Sequence, residues 1–314
     1  MNILHMFFFI SIVLFLTFIH ELGHLITARY VGVDVKEFAV GFGPNIFQSE
    51  DKHKTVWSLN LIPLGGYVSF SDNHNNISEI DAMLLTSPIK RIIYAMGGPL
   101  FNILFFFVGI IGLTYFVGID VYKYKAEQNI YYFTKDGFVI HKYKDKDVTF
   151  DGHRFVNEQN FKKLKEERYF LRGFNNNIFY SWYLFKKNIV GIYNLISKRS
   201  FNNVKSFISI NKIISKSIDS QSNKKAIFLL LLKFLINLSL SLGLFNLIPF
   251  VPLDGFWVLF SVFDIFLSFG KMSQKNKRVL LIILNILTII GMIILSIPLI
   301  NEIIIEILCL FNIV

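Results

Sequence analysis

Four apolar runs organise this chain: residues 1–19, 92–118, 226–250 and 279–300 contain no Lys, Arg, Asp or Glu except Lys233 in the third. As a helix rising about 1.5 Å per residue, each is long enough to cross a hydrocarbon core of about 30 Å. Between these runs the period changes. Residues 35–40 and 55–61 have strand composition, with Trp57, Leu59 and Leu61 on one side of an alternating pattern. Gly41, Gly43 and Pro44 are expected to break the first strand, and Pro63, Gly65 and Gly66 to end the second. Residues 136–155 read as short strands with turns. Trp182, Phe185, Ile189, Ile192, Tyr193 and Ile196 recur at helical spacing, with Lys186 and Lys187 off that face. That helix either lies on a membrane surface or packs on a small domain. Residues 175–177 and 220–223 read as connecting turns.

Composition narrows the class. At 53% hydrophobic residues and a mean hydropathy of +0.51, the chain is too apolar for a soluble domain. The expected fold is mainly α: a polytopic membrane protein with about four transmembrane helices, a cytoplasmic membrane-associated β-hairpin and a small extracytoplasmic α+β segment. The expected division is a first helix at 1–30, a hairpin loop at 31–91 and a second helix at 92–118. An outer segment at 119–225, a third membrane segment at 226–269, a short loop at 270–278 and a last helix with the C-terminus at 279–314 follow. The first run lacks a basic leader region and a small-residue cleavage site, so it reads as a retained helix.

Charge sets the orientation. Lys271, Lys275, Lys277 and Arg278 crowd the loop before the last run, which places that loop in the cytoplasm. Alternation then puts the 30–91 loop in the cytoplasm and both termini outside. Residues 120–224 hold 20 Lys and Arg against 10 Asp and Glu, so the net charge of +10 belongs to the outer segment. A solvated basic surface or attraction to anionic lipid or acidic peptide accounts for it, and a nucleic-acid partner is not expected outside the cytoplasm. Cys309 is the sole cysteine, which excludes an intrachain disulfide.

His20-Glu21-Leu22-Gly23-His24 carries the chemistry. On a helix, residues at i and i+4 share a face, so His20 and His24 can offer two imidazoles to one Zn²⁺ while Glu21 takes a proton from bound water. Ionisable residues inside a spanning segment are costly and usually functional. A catalytic zinc needs a third protein ligand. Asp254 is the best candidate, because it ends an apolar stretch in which Pro249, Pro252 and Gly255 disrupt regular helix. Its alternative role is a helix cap. A sheet edge in the hairpin loop could hold a substrate as an added strand, or the hairpin could simply plug space between helices.

Together, His20-Glu21-Leu22-Gly23-His24, Gly41-Phe42-Gly43-Pro44, Ile62-Pro63-Leu64-Gly65-Gly66-Tyr67-Val68, Gly98-Pro99-Leu100-Phe101-Asn102 and residues 246–255 resemble the site-2 protease family of intramembrane zinc metalloproteases, in its bacterial regulator-of-sigma-E protease branch. The resemblance covers the first 102 residues and about 225–260. It implies His20, His24 and Asp254 as ligands of Zn²⁺, Glu21 as catalytic glutamate, and Asn246 as a residue that positions substrate or stabilises the oxyanion. It also implies a substrate-engaging hairpin marked by Gly65, Gly66 and Tyr67, beside the edge at Trp57, Leu59 and Leu61 that the alternation offers to an added strand, and a packing role for Gly98, Pro99 and Asn102. The implied setting is a bacterial inner membrane, with a transmembrane protein or peptide as substrate, such as an anti-sigma factor or a remnant signal peptide, and membrane lipid as partner. The outer segment departs from the branch: two PDZ domains would not fit, and no carboxylate-binding loop is evident, so a reduced or absent PDZ domain is expected. A zinc transporter or a scaffold with a structural metal remains open from the residues alone.

Overall fold

The computed structural model describes residues 3–70, 79–126, 129–134, 139–143, 147–149, 162–171, 174–198, 224–268 and 272–310. The turn expected at 220–223 lies outside them, as does part of 136–155. The described chain is mostly helical: α1 (Ile3–Tyr30), α2 (Glu79–Leu85), α3 (Pro88–Val117), α4 (Phe174–Lys198), α5 (Lys224–Asn246), α6 (Asp254–Ser268) and α7 (Gln274–Leu310). Among the described residues, three segments are long and apolar enough to cross a membrane: Ile10–Tyr30, Pro88–Val117 and Ile227–Asn246. The third membrane segment is not one helix. Leu247 to Leu253 separate α5 from α6, where Pro249 and Pro252 supply no backbone donor.

Contacts divide the chain into two compact units, residues 1–105 with 194–314, and residues 106–193. In the first, β1 (Val35–Glu50) and β2 (Val56–Phe70) are longer than their composition suggests. Gly41 and Gly43 do not end β1, nor do Pro63, Gly65 and Gly66 end β2. Gly41, Gly43 and Gly65 instead adopt φ of 86°, 86° and 81°, which glycine reaches without a steric penalty, so each strand bends and continues.

The bends let each strand pair twice. Phe38, Ala39 and Val40 lie opposite Val68, Tyr67 and Gly66, and also opposite Trp57, Ser58 and Leu59. Those last three in turn lie opposite Ser49, Gln48 and Phe47. Trp57 to Leu59 is therefore an inner ribbon with partners on both sides, and the edge expected there for an added strand is not free. The alternation is also inverted: Ser58 and Asn60 are buried, whereas Leu59 and Leu61 are exposed. Ser58 Oγ donates to Glu37 Oε1 at 2.6 Å and Asn60 Nδ2 donates to the Gly41 carbonyl at 3.1 Å, while Asn60 Oδ1 is buried without a donor.

The other face of this sheet packs on α1. Leu25 and Ala28 join Val35, Phe38, Val40, Val68, Phe70 and Met83 in one core. A second core unites Leu84, Phe256, Phe260, Leu281 and Leu284. Beneath it, Asp264 of α6 pairs with Arg91 of α3, and Lys277 Nζ lies 3.5 Å from the same carboxylate while donating to the Leu84 carbonyl at 2.9 Å. Arg91 also stacks over the Phe260 ring, 4.7 Å from its centroid.

In the second unit, β3 (Ile119–Ala126), β4 (Asn129–Thr134), β5 (Val139–Tyr143), β6 (Asp147–Thr149) and β7 (Lys162–Leu171) form an antiparallel sheet ordered β6-β5-β4-β3-β7. Strands within 136–155 are thus present. Residues 175–177 are not a turn but part of the first turn of α4. Trp182 and Phe185 stack on α4, as the helical spacing predicts.

Asp51 ties the hairpin to the end of α1. It pairs with Arg29, accepts from Trp57 Nε1 at 3.0 Å, and caps its own turn through the His53 and Thr55 amides at 2.8 and 3.1 Å. Burial opposes the carboxylate, but the donors from Trp57, Arg29, Thr55 and His53 outweigh it and hold the carboxyl below the usual range. A depressed folded value means that the contribution is complete above the unfolded value of about 3.9 and is lost as pH falls toward the folded one. Asp51→Asn should therefore cost about 1–2 kcal/mol at pH 7, a range reduced for a side chain 24% exposed. Thermal unfolding in detergent should show the gap from wild type closing below about pH 4; a gap independent of pH would remove the carboxylate from this role.

Candidate metal centre

His20, Glu21 and His24 sit two-thirds of the way along α1, all three buried. Such a cluster needs close cover, and α3 provides it through glycine. A Cβ on Gly97 would lie 2.6 Å from the Gly23 carbonyl oxygen, and one on Gly98 would lie 2.7 Å from His20 Nε2. The two helices therefore meet at backbone distance with both imidazoles against α3.

α6 supplies the third group. Turns after α5 close through Phe250 N to Ile248 O at 2.8 Å and Leu253 N to Phe250 O at 2.7 Å, and Asp254 opens α6. Gly255 is required next to it, because a Cβ there would stand 2.5 Å from the Ile248 carbonyl oxygen. The outcome is convergence: His20 Nε2 lies 3.0 Å from Asp254 Oδ2, His24 Nε2 lies 3.2 Å from Asp254 Oδ1, and the two Nε2 atoms are 3.3 Å apart. His20, His24 and Asp254 are the residues that bring three ligand atoms together among the described residues.

Ligand distances of about 2.0–2.2 Å in a tetrahedral zinc site place ligand atoms roughly 3.3 Å apart. The three observed separations fit that geometry. Asp254 Oδ2 is buried without a hydrogen-bond donor, a costly arrangement for a carboxylate that a cation would relieve. Two nitrogens and one carboxylate with a fourth position open suit zinc better than calcium or magnesium, which take oxygen ligands.

The other ring nitrogens are also held. His24 Nδ1 is 2.9 Å from the Tyr94 carbonyl, and His20 Nδ1 is 3.1 Å from the Asn102 amide. Both partners lie on α3. Asn246, the last residue of α5, places its amide 3.5 Å from His20 Nε2. Gly66 lies against Glu21: a Cβ there would lie 3.0 Å from Glu21 Cγ and 2.8 Å from Thr17 Cγ2. Tyr67 stacks on Phe42 beside it.

The expected residues thus separate into two groups. His20, Glu21, His24, Asp254, Asn246 and Gly66 come together. Trp57 serves Asp51 and packs on Phe38, while Leu59 and Leu61 point outward. Tyr94 and Ser239 carry no signal in the sequence. Gly98 and Asn102 do, because an i, i+4 pair places both on one face of α3.

The profile of peptidase family M50 matches residues 8–292. The chain belongs to that family. It is an integral membrane protein, and the family is one of metalloproteases. A Brucella suis biovar 1 protein provisionally named a zinc metalloprotease is 36% identical over 110 residues, 31% of this chain and 29% of the relative. A Campylobacter jejuni protein of the same provisional name is 39% identical over 109 residues, covering 32% and 29%. One from Borreliella burgdorferi is 29% identical over 185 residues, covering 56% and 41%. The matched parts span less than half the length of these family members.

Gly98→Ala should abolish metal binding, since the new methyl would occupy the space at the two Nε2 atoms. Gly112, on the same helix with open space around it, is the control. Metal content of the purified variants checks this: Gly98→Ala should retain under about a tenth of the metal, as expected when a site loses its open position, and Gly112→Ala should match wild type. Equal content in both would contradict the geometry.

Proposed function

We propose that this protein hydrolyses peptide bonds of transmembrane substrates at a zinc centre formed by His20, His24 and Asp254. The observation that carries the reading is the convergence of two Nε2 atoms and a carboxylate with Glu21 one residue away on the same buried helix turn. Zinc held there would acidify a water molecule and polarise the scissile carbonyl. Glu21 accepts the water's proton and later returns it to the leaving amine. The Asn246 amide, on the His20 side of the site, donates to the oxygen that becomes negative. Glu21 is a base, which a transporter or a structural metal site has no need of.

Substrate enters as extended chain, because a helix hides its own carbonyls in hydrogen bonds. Gly65, Gly66 and Tyr67 form the side of the site that meets it. Gly66 to Phe70 pairs with β1 through one edge, and its glycine abuts Glu21, so that ribbon, and not Trp57 to Leu61, offers main-chain groups next to the base. Substrates of this kind include a single-span anti-sigma factor or a remnant signal peptide.

α7, 37 residues and about 55 Å long, serves as the fourth span. The protein sits in a bacterial inner membrane with its termini and residues 119–225 outside the cytoplasm. Arg91, Lys277 and Arg278 then gather at the cytoplasmic ends of their helices, which agrees with the charge rule.

Two experiments test these proposals. Glu21→Gln should retain near-stoichiometric zinc and lose cleavage, whereas His24→Ala and Asp254→Ala should lose both. Zinc loss from Glu21→Gln equal to that from His24→Ala would overturn the division of roles. For orientation, single cysteines at Asn176 and Ser273 in a Cys309→Ser background are treated with an impermeant thiol reagent on cells with an opened outer envelope. Asn176→Cys should label and Ser273→Cys should not; labelling of both would mean that residues 226–269 do not cross and that the four-span count is wrong.

A further inference from the structure

We propose that Asn102, backed by Ser239, is the positioning residue that fixes His20 as an Nε2 metal ligand; this rests on the metal-site reading above. For both imidazoles to aim Nε2 lone pairs at one point, each Nδ1 must carry the ring proton and give it to an acceptor. His24 meets that demand unambiguously, because the Tyr94 carbonyl 2.9 Å away can only accept. His20 meets it only if the Asn102 amide presents its oxygen. An amide's oxygen and nitrogen are told apart by the hydrogen-bond network around them, so the surroundings decide.

Ser239 decides in favour of the oxygen. Its Oγ donates to the Asn102 backbone carbonyl at 2.9 Å and sits 3.5 Å from the atom placed as Asn102 Oδ1, while the atom placed as Nδ2 lies toward His20 Nδ1; a half-turn of the amide exchanges the two. With its own proton committed to the carbonyl, the Ser239 oxygen is left as an acceptor. The Asn102 NH₂ turns toward it, and Oδ1 turns toward His20 Nδ1. The Ser239 hydroxyl, one amide N–H and His20 Nδ1 then each face an acceptor. In the orientation as placed, the NH₂ faces Nδ1 at 3.1 Å, which would move the ring proton to Nε2 and point it at Asp254 Oδ2 at 3.0 Å, across the place where the metal binds. Asn102 and Ser239 are both fully buried, so water cannot substitute for either. The relay also joins three helices, α1 through His20, α3 through Asn102 and α5 through Ser239.

The role is distinguishable from packing by the acid that mimics it. In Asn102→Asp the carboxylate accepts from Nδ1 as firmly as the amide oxygen, whereas in Asn102→Leu the side chain fills the space and accepts nothing. Zinc affinity of the full-length protein in detergent, measured by competition with a chelator, should fall about 10–100-fold in Asn102→Leu, stay within about threefold of wild type in Asn102→Asp, and fall by a smaller factor in Ser239→Ala. Metal-free Asn102→Asp should unfold at lower temperature than wild type and recover on adding zinc, since the buried carboxylate is compensated only when the ring proton faces it. Wild-type affinity in Asn102→Leu, or equal losses in Asn102→Leu and Asn102→Asp, would overturn the proposal. If Asn102→Leu does not fold, Asn102→Asp decides alone, and a loss of affinity of about tenfold or more would sink the idea. His24→Ala separates the two levels: wild-type zinc affinity in that variant would mean that the metal site itself is wrong.

Discussion

Everything in the site depends on α1 and α3 touching at Gly23 and Gly97. Side chains there would hold the helices apart, since each Cβ would collide with the opposing backbone. Inside a membrane there is no hydrophobic drive between helices, and close backbone approach supplies the packing contact in its place. From that one contact follow the imidazoles lying against α3, the Tyr94 carbonyl within reach of His24, and Asn102 within reach of His20. Glycine also acts by leaving room at Gly98, where the ring nitrogens converge. Small residues here are what allow polar chemistry to be packed between apolar helices at all.

Asp254 obeys a different constraint. A continuous helix from residue 224 to 268 would satisfy its own backbone but would carry Asp254 past the histidines. Breaking it at 247–253 frees carbonyls that must be met by local turns, and the short Phe250 and Leu253 bonds meet part of that demand. α6 is then held far from its first residue by Asp264, whose pairing with Arg91 and Lys277 anchors the helix against α3 and α7. A carboxylate at each end of α6 is fixed, one towards the histidines and one towards two cations.

The sequence makes the chemistry plainer than the architecture. His20, Glu21 and His24 are legible because their spacing has few other uses on a membrane helix, and Asp254 because prolines mark the interruption before it. The hairpin departs from its pattern for a physical reason. Alternation assigns apolar residues to the inside, yet Leu59 and Leu61 face outward while Ser58 and Asn60 are enclosed, so the rule runs backwards in a sheet next to lipid-seeking helices. Glycines that signal the end of a strand serve here as bends within it, at φ values that composition does not reveal. Asn175 to Asn177 look like a turn because asparagine favours the start of a helix as readily as a loop. Ser239 has no signature, since one hydroxyl among the serines of an apolar helix becomes informative only when its neighbour on another helix is known.

The cluster of Arg91, Asp264 and Lys277 has a consequence for how this chain can drift. Removing the carboxylate leaves two enclosed cations without an anion, and removing Arg91 leaves the carboxylate with a weaker and more distant partner, so each single change passes through a state worse than either end. Replacing all three by well-packed apolar residues carries no such penalty. The three positions are therefore expected to vary among relatives as a set, present together or absent together, and a lineage that has lost one will carry the mark of having lost the others soon after.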